Sequence, residues 1–201
     1  MSQSLANAVS LAVNPVSAAS ATGGSVRLDV SFETLKAEID KISTTGPAGV
    51  DWKKVVALSS EILEKKSKDL LVIAYLCRGL FQLDGYPGLS EGLDALHQVM
   101  TTYWDTFFPD RPKGRIAAIQ WLSEKTSAGV ELRDAREADR QALETAVEKV
   151  KAIDALLGEK LGADAPSISE LIGALSRRVD SIAAPAAQPA PPAQAPAAEA
   201  A

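Results

Sequence analysis

Histidine, cysteine and basic runs are what this sequence has least of. One histidine, His97, and one cysteine, Cys77, leave no pair from which a zinc site of imidazoles and thiolates could be built. A lone cysteine also excludes an internal disulfide. Its place inside the most apolar stretch makes it a small buried hydrophobe rather than an activated thiol. Acidic residues outnumber basic ones, 26 to 21, for a formal net charge of −5. The basic residues come as isolated pairs such as Lys53-Lys54, Lys65-Lys66 and Arg177-Arg178. Phosphate backbones are bound by a clustered basic face, so no nucleic acid is expected as a partner. No run reaches the roughly 18 consecutive apolar residues of a membrane span, and no membrane insertion is expected. The run Leu5 to Val13 has no Lys or Arg before it and is broken by Asn7 and Ser10. That sets it apart from a secretory signal, so a cytoplasmic location is expected.

The common catalytic motifs are missing as well. There is no Gly-rich phosphate loop followed by Lys-Ser/Thr, no GxGxxG after a strand and no GxSxG elbow. His97 has no serine or cysteine at a telling spacing. The expected catalytic, cofactor-binding and metal-ligating residues are therefore none, and the chain is expected not to be an enzyme. Two carboxylates stand out from the solvated majority: Asp69 in an apolar context and Asp105 beside Trp104. The alternative reading is a helical enzyme or small-ligand domain that uses one of them in an aromatic pocket. It requires a buried carboxylate of raised pKa facing a cleft. The aromatics Tyr103, Trp104, Phe107, Phe108 and Trp121 lie at helical spacing and read first as core.

What is present is helical pattern. Apolar residues make up 46% of the 201, enough for one domain with a substantial core. Leu70 to Leu83 is apolar almost all round, the signature of a helix buried on most sides, and a central helix over about 68–84 follows. Around it the chain reads as amphipathic helices, giving an all-α bundle of about seven. Residues 1–30 read as an extended lead-in. Ser31 is expected to cap a first helix that ends at Thr44-Thr45-Gly46-Pro47, and Asp51 a second that opens with Trp52. Gly85-Tyr86-Pro87-Gly88 is a stop and turn before a helix over about 89–107. Further helices are expected over about 115–125 and 132–161. The last is opened by Ser167 with Glu170 in a capping-box pattern. The helical domain thus covers 31–183. Residues 184–201 hold five of the eleven prolines among Ala, Gln and one Glu. They read as a disordered linker, expected to lead to a C-terminal oligomerisation domain that this chain lacks.

Several segments taken together resemble the ImpA-related N-terminal domain of the TssA proteins of the bacterial type VI secretion system. The carriers are Asn14-Pro15-Val16-Ser17, Gly23 to Asp29 (GGSVRLD), Phe32 to Leu35 and Asp51-Trp52-Lys53-Lys54-Val55. With them go Ser67-Lys68-Asp69-Leu70, Gly85 to Leu89, Gly92-Leu93, Tyr103-Trp104-Asp105 with Pro109, and Arg115 to Leu122. Their order and spacing make the resemblance specific. Ser25, Leu28 and Ala117 depart from the pattern, which there has an acid, an aromatic and Asn. If the opening motif forms a polar tie, Ser25 and Leu28 would weaken it. The resemblance implies a noncatalytic assembly component with other type VI secretion proteins (baseplate, tube and sheath) as partners, and self-association mainly through a C-terminal region. It brings no reaction. The motif residues Arg27, Asp29, Trp52, Asp69, Trp104, Asp105, Arg115 and Trp121 are expected to be structural. By charge and position, Arg27 with Asp29 and Asp105 with Arg115 are the candidate ion pairs.

Overall fold

Asp69 opens the helix on which everything else packs. In the computed structural model, which describes residues 8–183, its backbone is extended and its carboxylate accepts from the amides of Leu71 (2.9 Å) and Val72 (3.3 Å). That satisfies two donors a helix start leaves orphaned. Among the described residues there are seven α-helices: α1 (Ala8–Val13), α2 (Val30–Thr45), α3 (Trp52–Lys65), α4 (Leu70–Tyr103), α5 (Pro112–Leu132), α6 (Arg140–Leu161) and α7 (Ser169–Ala183). Short 3₁₀ turns precede α3 and flank α6. No strand is found among the described residues, only two isolated bridges. The chain is all-α, as the pattern predicts.

α4 is two arms rather than one rod. Gly85 has φ 68°, a left-handed conformation costly for residues with a Cβ, and the helical path breaks there. The expected four-residue turn is thus a single residue, with Pro87 placed early in the second arm, where its missing N–H costs nothing. The arms double back on each other. A Cβ on Gly92 would lie 2.7 Å from Cys77 Cα, and one on Gly88 2.2 Å from the Leu80 carbonyl oxygen. Their open ends are stitched together: Phe108 N donates to Lys68 O (2.9 Å) and Leu70 N to Phe108 O (2.6 Å). Every residue from Val72 to Phe81 is buried. A helix reaches that state only when walled on all sides; the two arms lie against each other, and α4 as a whole is flanked by α1, α3, α5 and α6.

The outer helices follow their stripes. α2 and α3 are clasped by Glu38, almost fully buried, which accepts from Asp51 N (2.9 Å), Lys41 Nζ (2.6 Å) and Lys54 Nζ (3.4 Å). α6 turns Leu143, Ala146, Val150, Ile153 and Leu157 inward, and α7 packs against α5 and α6.

Several boundaries differ from expectation, among them the end of the second α4 arm, which falls at Tyr103 and not near residue 107. The lead-in contains α1, six residues long and docked on α4 by Ala8, Leu11 and Ala12. Asp29 rather than Ser31 caps α2, its carboxylate accepting from Ser31 N (2.8 Å). α5 begins earlier and runs on through Gly129 to Leu132, so α6 starts only at Arg140. Ser167 Oγ accepts weakly from Ser169 N (3.4 Å), one residue short of the capping-box partner. The linker over 184–201 lies outside the described residues.

Candidate interaction site

The connector between α3 and α4, Lys66 to Asp69, is short and carries three polar residues into the fold, with Lys66 half-buried at its start. Ser67, Lys68 and Asp69 are each 0% exposed. Such groups cost free energy unless partnered. The lead-in provides much of that partnership for Lys68 and Asp69, while the Ser67 hydroxyl is left without a hydrogen-bond partner. It runs beside the connector, with Gly24 N donating to Lys66 O (3.0 Å) and Lys68 N to Thr22 O (2.9 Å). A turn closed by Asp29 N on Val26 O (2.9 Å) then presents Arg27. Its Nη2 donates to both oxygens of Asp69 (3.2 and 2.9 Å), and its guanidinium lies 4.6 Å over the Phe32 ring. Lys66 Nζ donates to both oxygens of Asp29 (2.9 and 3.0 Å) and to Ser31 Oγ (2.9 Å). Lys68 Nζ donates to Leu63 O at 2.7 Å, ending α3, and to Leu11 O, ending α1.

The expected pair of Arg27 with Asp29 is therefore replaced by two crossed pairs, Arg27–Asp69 and Lys66–Asp29. The turn sends Arg27 and Asp29 to different neighbours although they are two residues apart. Leu28, at the turn tip, is 98% exposed, and Ser25 is exposed too. Neither departure from the family pattern interrupts the tie, which closes through other side chains.

Burial pushes the Asp69 carboxyl above its ordinary pKa, opposed by Arg27 and by the Val72 and Leu71 amides. The hydrogen bond from Lys66 holds Asp29 below the usual range. Burial lowers Lys68 to about 8 and raises the Cys77 thiol to about 12, which leaves that thiol inert. Asp69 is thus buried and raised, as the enzyme alternative requires, but its oxygens are occupied by Arg27 and two helix amides. Asp105 is exposed on the surface. Neither offers a free carboxylate to a cleft. Among the described residues no group of three His, Cys, Asp or Glu could hold a metal ion.

The second expected pair also takes another form. Arg115, 8% exposed, donates to three carbonyls and not to Asp105: Nε to Pro109 O (2.7 Å), Nη1 to Trp104 O (2.8 Å) and Nη2 to Phe107 O (3.0 Å). Its guanidinium lies 4.1 Å from the centre of the Phe107 ring, and Trp104 meets Phe107 edge-on at 5.5 Å. One guanidinium thereby ties the whole turn between α4 and α5. Trp52 is separate from both clusters; its Nε1 donates to Pro47 O (2.8 Å).

Between the two ties lies a cleft of about 560 Å³. Tyr75 and Trp121 form one wall, edge to face at 4.7 Å, with Leu71 and Ala118 beside them. Arg27 borders it from the lead-in, and Asp110, Arg111 and Lys113 from the start of α5. Of the predicted residues the cleft brings together Arg27 and Trp121; Asp69 stands behind Arg27. Sequence reasoning does not single out Lys66, Lys68, Tyr75, Arg111 or Lys113. For Lys66 and Lys68 a signal exists: three charges in a short connector call for partners inside the fold.

A model of the ImpA N-terminal family of the type VI secretion system matches residues 13–124, more than half of the chain. The type VI secretion system component TssA1 of Pseudomonas aeruginosa is 39% identical over 59 residues, a stretch that is 29% of this chain and only 17% of that protein. A solved N-terminal domain of the TssA component from Burkholderia cenocepacia, which includes the conserved ImpA N-terminal region, superposes with a TM-score of 0.75. It is 20% identical, and the match covers 87% of this chain and 92% of that one, a likeness in fold. The chain belongs to the ImpA N-terminal family of the type VI secretion system.

Proposed function

We propose that, as a member of this family, the chain is a noncatalytic protein-interaction module of the type VI secretion apparatus, acting in the cytoplasm. It helps organise baseplate, inner tube and contractile sheath during assembly, and its partners are other proteins of that apparatus. The observation that supports this reading most is how the motif residues are spent. Arg27, Asp29, Asp69 and Arg115 close internal ties between segments, and Trp52 and Trp104 are likewise engaged within the fold. Residues set up for a reaction would leave a nucleophile or an acid facing a cleft; these hold a surface in shape. No helix among the described residues is long and apolar enough to cross a membrane. Deleting the gene from its host should lower the number of assembled sheaths, counted with a fluorescent sheath fusion, and the release of tube protein. Unchanged sheath counts and release would contradict the reading.

A further inference from the structure

We propose that the cleft between the lead-in turn and the start of α5 is a docking site for an acidic peptide segment, on a partner protein, that carries a bulky apolar side chain. This rests on the reading of the chain as an interaction module and names the chemistry of one surface that does the interacting.

Three observations carry it. The first is charge. The chain as a whole is acidic, at −5, yet Arg27, Arg111 and Lys113 border this cleft against Asp110, and with Arg27 matched by Asp69 the excess positive charge is that of Arg111 and Lys113. Arg111 and Lys113 are exposed and sit at the first turn of α5, where the positive end of a 21-residue helix adds to the same field. Arg27 spends one guanidinium nitrogen on Asp69 and still borders the cleft. A carboxylate bound here is attracted by Arg111 and Lys113 and repelled by Asp110, while exposed charges farther off than a Debye length of about 8–10 Å are largely screened.

The second observation is the floor. Tyr75 is 5% exposed and locked edge-on against Trp121. Trp121 itself is only partly buried, so a large rigid aromatic side chain is left partly to solvent beside Leu71. Aromatic and arginine side chains on a rigid base are the residues that dominate interface energies. The third is room. Ala117 is small, exposed and on the cleft wall, and about 560 Å³ accommodates one bulky side chain with flanking backbone. The cleft opens along the exposed Asp110–Lys113 edge, which suits a continuous segment better than an enclosed small molecule. Carboxylates of the segment pair with Arg111 and Lys113, and its apolar side chain lies on Trp121.

The test titrates the full chain with a short fluorescein-labelled peptide, Asp-Glu-Asp-Phe-Glu-Asp-Leu, followed by anisotropy. Its Asn/Gln and Lys counterparts serve as comparisons. The acidic peptide should bind with a dissociation constant of about 100 µM or tighter, weakening as salt is raised. The Lys peptide should not bind. The double variant Arg111→Glu/Lys113→Glu should weaken binding about tenfold or more, and Ala117→Trp, which fills the cleft, should do the same. Lys151→Glu, on the exposed side of α6, should leave it unchanged. Equal binding of all three peptides, or acidic-peptide binding indifferent to both cleft variants, would overturn the proposal. A parallel capture of purified baseplate, tube and sheath proteins by the wild-type chain separates the two claims. Capture there with no peptide binding sinks the cleft alone, and no capture sinks the module reading beneath it.

Discussion

At the scale of single residues, the fold is held at two points by buried cations that reach backbone carbonyls rather than carboxylates. Lys68 is the more demanding of them. Its ammonium is fully buried, serves Leu63 O and Leu11 O, and has no carboxylate bonded to it. Burial lowers its pKa from 10.5 to about 8. A base with a depressed folded-state pKa binds fewer protons when folded than when unfolded. Stability contributed through it therefore rises between the two values, from about pH 8 to about 10.5. Urea denaturation of wild type and Lys68→Met across this range should show wild type gaining about 1–3 kcal/mol relative to the variant. A constant difference would mean that the ammonium stays charged at high pH. Arg115 works otherwise. Its planar fork reaches three carbonyls from three separate nitrogens, a spread that the single nitrogen of a lysine lacks, and Asp105 next to it contributes no bond. Charge and proximity in sequence suggest the acid as partner. The turn geometry, which cannot be read from residue types, presents carbonyls instead.

At the scale of elements, the hairpin of α4 depends on two backbones in contact. Gly92→Ala would place a methyl 2.7 Å from Cys77 Cα, so the arms must separate, at a cost of about 1–3 kcal/mol. Gly158, in the exposed part of α6, has nothing within 4 Å of where a methyl would stand, and Gly158→Ala should stabilise by about 0.5–1 kcal/mol. Thermal melts of both variants check the pair, and a neutral Gly92→Ala would contradict the close approach. Elements with strong ends are legible in the sequence. Asp51 caps α3 through Lys54 N, and the Gly85–Pro87 break falls where the punctuation places it, whereas α4 starts at Leu70 with Asp69 as its cap and not two residues earlier. α1 is not legible, because six residues gain too little from propensity and form a helix only by docking Leu11 and its neighbours on α4. The start of α6 is hidden for a related reason. Residues 133–139 are as charged as the helix they precede, and only tertiary ties set them apart: Arg133 Nη1 donates to Phe81 O (3.1 Å), and Tyr86 Oη to Arg133 O (2.6 Å). Of the candidate site, the tie residues Arg27, Asp69 and Arg115 carry a signal through charge in apolar surroundings. The cleft does not, since Tyr75 and Arg111 meet only in three dimensions.

At the scale of the whole molecule, an acidic, all-α body presents a basic-edged aromatic cleft held open by buried ties. That arrangement suits the interaction role proposed above, for a chain that belongs to the ImpA N-terminal family of the type VI secretion system. The most direct test immobilises the purified chain and titrates purified baseplate, tube and sheath proteins over it by biolayer interferometry. The account predicts saturable binding of at least one of them with a dissociation constant of about 10 µM or tighter. Binding of none of the three, by a chain whose thermal melt is cooperative, would contradict it.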